Sequence, residues 1–184
     1  MRRRGITLVL LLAASLGTSQ PGADQADPRL PTLFGRLHAA APAQAHSAEQ
    51  AIWAIWLETP DREVNALMSR ALGHMGEGEL EQAIAVLGAV VERAPEFAEG
   101  WNKRATAHFL NEDYAASVSD IHKTLDLEPR HFGAISGLGL IFMRRNDLPS
   151  ALKAFERVLE IYPHAQGARS HVELIRRHLG ERSV

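Results

Sequence analysis

Residues 98–131, AEGWNKRATAHFLNEDYAASVSDIHKTLDLEPRH, can be laid on the 34 residues that follow them and on the 34 that precede them. In 98–131 the recurring offsets hold Trp101, Ala105, His108, Tyr114, Ser117, Ile121, Leu125 and Pro129. In 132–165 they hold Ile135, Gly139, Phe142, Leu148, Ala151, Phe155, Leu159 and Pro163. In 64–97 they hold Leu67, Ala71, His74, Leu80, Ala83, Leu87, Val91 and Pro95. A fixed period of this length, with small residues at two offsets and proline near the end, marks a repeated supersecondary unit.

Each unit reads as a helix A, a tight turn and a helix B. Strand alternation is absent, and Ala, Leu, Glu and Arg are plentiful, so the chain is expected to be all-α. The turns fall at Gly78-Glu79-Leu80, Glu112-Asp113-Tyr114 and Asn146-Asp147-Leu148. Asp113 and Asp147 are placed to cap their B helices, and Pro149 sits in a first turn, where its missing amide costs nothing. The prolines at 95, 129 and 163 stop helix B, because proline disfavours helix at the residue before it and donates no bond. Ala71, Ala105 and Gly139 on the A helices should face Ala83, Ser117 and Ala151 on the B helices, where larger side chains would overpack. A single pair cannot bury its own apolar face, so stability must come from stacking neighbours.

This pattern resembles the tetratricopeptide repeat. The resemblance implies a right-handed α-solenoid of antiparallel helix pairs, with repeats at 64–97, 98–131 and 132–165. It also implies a concave face that binds a segment of a protein or peptide partner. In this family the second, fifth, ninth, twelfth and thirteenth residues of each helix A usually line that groove. Here they are Asn65, Met68, Leu72, Met75 and Gly76, then Glu99, Asn102, Thr106, Phe109 and Leu110, then Gly133, Ser136, Leu140, Met143 and Arg144. Three of the chain's four methionines fall among them, and methionine surfaces adapt to varied apolar partners. The expected contact set is Met68, Leu72, Met75, Phe109, Leu110, Leu140 and Met143, with Asn102, Lys103, Thr106 and Arg144 giving polar register. Members that grip a partner's terminal carboxylate do so with Lys, Asn, Asn, Lys and Arg. The matching positions here are Met68, Leu72, Lys103, Gly133 and Gly137, so that mode of binding is not expected.

Outside the repeats, Arg2, Arg3 and Arg4 precede an apolar run from Ile6 to Leu16 and the small, polar Gly17, Thr18 and Ser19. That order is expected of a cleaved secretory signal over 1–19, and the run is shorter than the ~20 residues a spanning helix needs. Export to a bacterial periplasm, with no stable membrane insertion after cleavage, follows as the expectation. Residues 20–31 read as a flexible leader. Residues 32–63 read as N-terminal helices, forming either a degenerate repeat or a cap over the first true one. Leu30, Leu33, Phe34 and Leu37 share one helix face, and Ser47 with Gln50 offers a capping box before the apolar run at Ile52–Leu57. Residues 166–184 supply a capping helix, with Ala168, Val172, Ile175 and Leu179 on one face and Gly180 expected as its C-cap.

Chemistry finds little support. There is no cysteine, which removes disulfides, thiolate metal sites and a thiol nucleophile. The net charge of −2 and the lack of a basic stripe with aromatics argue against nucleic acid. His74 and His108 share the offset of Phe142 and read as packing residues, while His131 and His164 read as exposed turn residues. His171 and His178 share a face without an acidic or thiolate partner. The glycines of 132–140 follow no strand, so they do not form a dinucleotide loop. No catalytic residue, metal or cofactor is expected, and the chain reads as a non-enzymatic adaptor. The alternatives are a structural or accessory piece of an envelope machine for secretion, pilus assembly or cytochrome maturation, self-associating or not, and an enzyme or metal carrier that uses the histidines.

Overall fold

The protein was analysed as a computed structural model that describes residues 25–39 and 41–181. The expected signal segment, and the leader as far as residue 24, lie outside the described residues. Among the described residues there are nine α-helices and no strand. They are α1 (Leu30–Ala39), α2 (Pro42–Leu57), α3 (Arg62–Glu77), α4 (Leu80–Arg93), α5 (Ala98–Leu110), α6 (Tyr114–Leu127), α7 (Phe132–Arg144), α8 (Leu148–Ile161) and α9 (Gln166–Glu181). Helices α3–α4, α5–α6 and α7–α8 pair as the three repeats, neighbouring pairs meet through α4–α5 and α6–α7, and α9 closes on α8.

The turn within each repeat is one structure made from three different sequences. Gly78, Glu112 and Asn146 stand 34 residues apart, and all have positive φ, at 78°, 61° and 57°. The amide after each bonds back to the carbonyl of His74, His108 or Phe142, at 2.8–2.9 Å. Their own amides reach Met75, Phe109 and Met143. This double closure satisfies the helix's last carbonyls and requires a left-handed residue at the corner. Asp113 and Asp147 then accept from the amides of Ala116 and Ser150 and open α6 and α8.

The small-residue offsets set the pairing distance. Ala71, Ala83 and Ala151 are fully buried. The Ser117 hydroxyl donates to the Ala105 carbonyl at 2.8 Å, so this polar side chain is satisfied across the α5–α6 contact. Gly139 lies so close to Phe155 that a Cβ there would come within 2.7 Å of the ring.

The N-terminal helices, expected as a degenerate repeat or a cap, pack mainly on later helices of the array. α1 and α2 pair with each other, and then α1 meets α8 and α2 meets α5 rather than stacking on α3. Leu30, Phe34, Leu37, Ile52 and Trp56 join one apolar cluster with Phe132, Phe155, Val158 and Tyr162. An apolar helix such as α2 needs cover on more than one side, and α1 together with the second and third repeats provides it. α2 begins earlier than expected: Pro42 takes the first turn, where its fixed φ suits the helix. Ser47 therefore lies inside α2 and donates to Ala43 O at 3.2 Å, so it is not the expected cap. Gly180 is likewise inside α9, which runs to Glu181. At the end of the expected leader, residues 25–29 are tied to the array. Gln25 donates to Glu96 O, and buried Asp27 accepts from the backbone and guanidinium of Arg29.

Candidate partner groove

Helices α5 and α7 are the A helices of adjacent repeats, and a cavity of about 150 Å³ opens between them. Asn102, Thr106 and Phe109 line it from α5, and Gly133, Ser136, Gly137 and Leu140 from α7, with Ile121 behind. The spacing i, i+4, i+7 on each helix presents one face, which is why residues distant in sequence converge. Gly133 and Gly137 keep the α7 wall low. A Cβ on Gly137 would meet Ile121 Cδ1 at 3.2 Å, and one on Gly133 would strike Trp53 Cη2 at 2.7 Å.

Of the residues expected to contact a partner, Asn102, Thr106, Phe109 and Leu140 are brought together in this cavity. Leu72 and Leu110 are exposed, at 43 % and 49 %, but do not line it. Arg144 is exposed as well. Met75 is half-buried against the first repeat's core, and Met143 against the cluster shared with α1 and α2. Met68 is only 6 % exposed and packs with Val64, Ala71, Leu87 and Val90. Lys103 is engaged within the chain: its ammonium lies 2.8 Å from Glu99 Oε1 and 5.6 Å from the centre of the Trp53 ring. The cavity thus lies between the second and third repeats, and the methionines mostly serve the core.

Beneath the groove lies a polar cluster that the sequence reading missed. The side chains of Glu99 and His131 are 0 % exposed, with His131 Nε2 3.0 Å from Glu99 Oε2. Asn102 Nδ2 donates to the same oxygen at 2.9 Å. His131 Nδ1 accepts from the Ala134 amide at 3.1 Å and caps α7, which assigns the imidazole proton to Nε2 and makes it the donor to Glu99. Burial alone would push the Glu99 carboxyl up, but the His131 bond and the positive charge of Lys103 outweigh it and hold it below the ordinary range. His131, expected as an exposed turn residue, is thus a buried one. A signal was present in the repeat frame: its counterpart 34 residues earlier is Phe97, which is also buried.

Other histidines are occupied. His74 Nδ1 lies 2.6 Å from Glu79 Oε2, and with Glu77 these side chains come within 4.8 Å of one another. Both carboxylates are exposed, and the His74–Glu79 contact crosses the α3–α4 turn as His108 and Asp113 do at 3.9 Å in the next repeat. The His171 ring stacks on Phe155 with centroids 4.5 Å apart.

Comparisons agree with this architecture. The family model described as a tetratricopeptide repeat matches residues 68–123 and 111–166. A TPR repeat-containing protein of Rhizobium etli is 36% identical over 148 residues, covering 80% of this chain and 72% of that protein. The anaphase-promoting complex subunit 3 of Schizosaccharomyces pombe is 27% identical over 86 residues, which are 47% of this chain but only 13% of that protein. Among solved structures, the Sgt2 TPR domain from Aspergillus fumigatus superposes with a TM-score of 0.62 at 22% identity, covering 67% of this chain and 83% of that one. The first TPR domain of Spaghetti (RPAP3), bound to the HSP90 peptide SRMEEVD, superposes with a TM-score of 0.60 at 24% identity, covering 64% and 93%.

Proposed function

The chain belongs to the tetratricopeptide repeat family, whose repeats are protein-interaction modules, and we propose that it acts as a non-enzymatic adaptor of the cell envelope that holds a partner segment between α5 and α7. The observation that carries this reading is the cavity itself. It combines apolar walls, Phe109 and Leu140, with hydrogen-bonding groups, Asn102, Thr106 and Ser136, on two rigid helices. Apolar contact supplies affinity in such grooves, and the few polar groups set register. Four of the five positions matching the carboxylate-gripping residues of some relatives carry Met68, Leu72, Gly133 and Gly137. The fifth, Lys103, is engaged by Glu99. An internal segment of a partner therefore suits the groove better than a chain terminus.

Crosslinking in the native host, with a photoreactive residue replacing Phe109, tests the reading. A discrete partner is expected, and it should be lost when Leu140→Asp is added while helical circular dichroism is kept. Adducts unchanged by Leu140→Asp would discard the groove. The envelope location rests on Arg2–Arg4 and the apolar run after them. Cell fractionation checks it separately, and a purely cytoplasmic protein would overturn it.

A further inference from the structure

We propose that the concave face carries a second subsite, on the far side of Trp53, that takes a guanidinium or ammonium side chain of the partner. The inference rests on the reading of that face as a peptide groove. Trp53 projects from α2 against Gly133, and beyond it lies a cleft of about 450 Å³. His46, Glu49 and Trp53 line it from α2, Phe132 and Ser136 from α7, and Tyr162 from the end of α8. Gly133 and Ser136 also line the α5–α7 cavity, so the two spaces adjoin on one surface.

The charge of the cleft selects its ligand. Its lining holds one carboxylate, Glu49, two histidines, His46 and His164, and no lysine or arginine, while the Lys103 ammonium over the Trp53 ring is paired with Glu99. Glu49 is partly exposed and held in place: its Oε2 accepts from the Tyr162 hydroxyl at 3.0 Å and lies 3.2 Å from His46 Nδ1. A fixed carboxylate loses little freedom on meeting a cation, which favours a charge-assisted bond. Trp53 and Phe132 add aromatic surface that a flat guanidinium can use. The first residues of α9 form part of the opposite wall, and a helix N-terminus favours anions. That end carries roughly half a charge against the full charge of Glu49, so the cleft favours a cation.

N-acetyl-argininamide, titrated into the full chain at about pH 8, tests the subsite by nuclear magnetic resonance. The uncharged isostere N-acetyl-citrullinamide is the control. Saturable shifts are expected at the Trp53 indole and the Ser136 and Gly167 amides. Binding should weaken about three- to fivefold for the citrulline compound, the range of a partly exposed ion pair. Glu49→Gln should bring the two compounds to equal affinity while keeping an acceptor for Tyr162. Equal binding of both compounds by the native chain, an unchanged preference in Glu49→Gln, or no shift up to about 100 mM would each overturn the proposal. If Glu49→Gln fails to fold, the comparison of the two compounds on the native chain decides alone. Partner crosslinks at Phe109 without argininamide binding would remove only this subsite, whereas argininamide binding without such crosslinks would remove the groove reading and leave the cation cleft.

Discussion

The imidazole of His131 lies flat against the indole of Trp56, with ring centroids 4.1 Å apart and planes 10° from parallel. This contact joins α2 to the loop between the second and third repeats. On the His131 ring edge sits the hydrogen bond to Glu99, so one side chain anchors the N-terminal pair and donates to a buried carboxylate. His131→Phe copies the residue found at the equivalent position, Phe97, and keeps the stack. It removes one of the two buried donors to Glu99 Oε2, leaving Asn102, and takes the cap from α7. The variant is expected to lose about 2–4 kcal/mol, the sum of one hydrogen bond to a buried charge and one helix cap, while Asn102 and Lys103 still hold the carboxylate. Urea unfolding followed by tryptophan fluorescence measures it, and a loss under about 0.5 kcal/mol would show the Glu99–His131 bond to be dispensable.

The same cluster sets an acid dependence. The folded pKa of Glu99 is depressed, so its stabilising contribution is present above the ordinary glutamate range and is lost as pH falls through the folded value. Asp27, Asp61 and Asp147 are also depressed, so the useful quantity is the gap between the native chain and Glu99→Gln. That gap should be widest above about pH 5 and shrink steadily below about pH 4. A gap that stays constant from pH 7 to 3 would mean that folding leaves the Glu99 pKa unshifted, and a native chain that gains on Glu99→Gln as pH falls would mean that the carboxyl is held neutral in the fold.

How much could be read from the sequence depended on which residues the period constrains. The three helix pairs, the Asp113 and Asp147 caps and the close contact at Gly139 were legible, because each follows from local chemistry repeated at one spacing. The packing of α1 and α2 was not. Periodicity shows that Ile52, Trp53, Ile55 and Trp56 belong to a helix needing cover, but not which distant surface covers it. Met68 shows the same limit at one residue. Its offset faces the groove in many relatives, yet here the side chain turns into the first repeat's core. Glu99 and Lys103 carry opposite charges one helical turn apart, and sequence alone could not show that the former would be buried against His131.

Tyr162 offers a spectroscopic check on where α2 sits. Burial first, and then its hydrogen bond to Glu49, push its phenol up to about 12. The neutral phenol therefore contributes stability that is complete below about pH 10 and is lost as pH rises through about 12. The chain has two tyrosines, so absorbance at 295 nm should show one ionising only near that upper limit. Tyr162→Phe should remove the late step and Glu49→Gln should bring it earlier. A late step surviving Tyr162→Phe would contradict the Tyr162–Glu49 contact.

The three left-handed corners differ in how well their residues suit them. Glycine at Gly78 meets no steric penalty and asparagine at Asn146 little, whereas Glu112 sits in a conformation that costs most L-residues about 1–2 kcal/mol. Glu112→Gly should therefore stabilise the chain by about 0.5–1 kcal/mol, part of the gain being offset by glycine's greater freedom when unfolded. Gly78→Ala should cost about 1 kcal/mol. Thermal unfolding of both variants tests the pair, and destabilisation by Glu112→Gly would show that this side chain makes a contact worth more than the strain.

Gly139 and Gly73 show how one substitution can change sign with its surroundings. A methyl group on Gly139 would lie 2.7, 2.8 and 2.9 Å from three atoms of the Phe155 ring. That ring is buried and backed by His171, so it cannot swing aside cheaply. Gly139→Ala should therefore cost about 1–3 kcal/mol through overpacking, despite alanine's better helix propensity. Gly73 lies within α3, and a methyl there would meet nothing within 4 Å. Gly73→Ala should gain about 0.5–1 kcal/mol from propensity and from the stiffer unfolded chain. Adding Phe155→Leu to Gly139→Ala separates the clash from other causes. The double variant should be more stable than the sum of the two single losses, because the smaller side chain makes room for the methyl. Strict additivity would show that the cost at Gly139 does not come from Phe155.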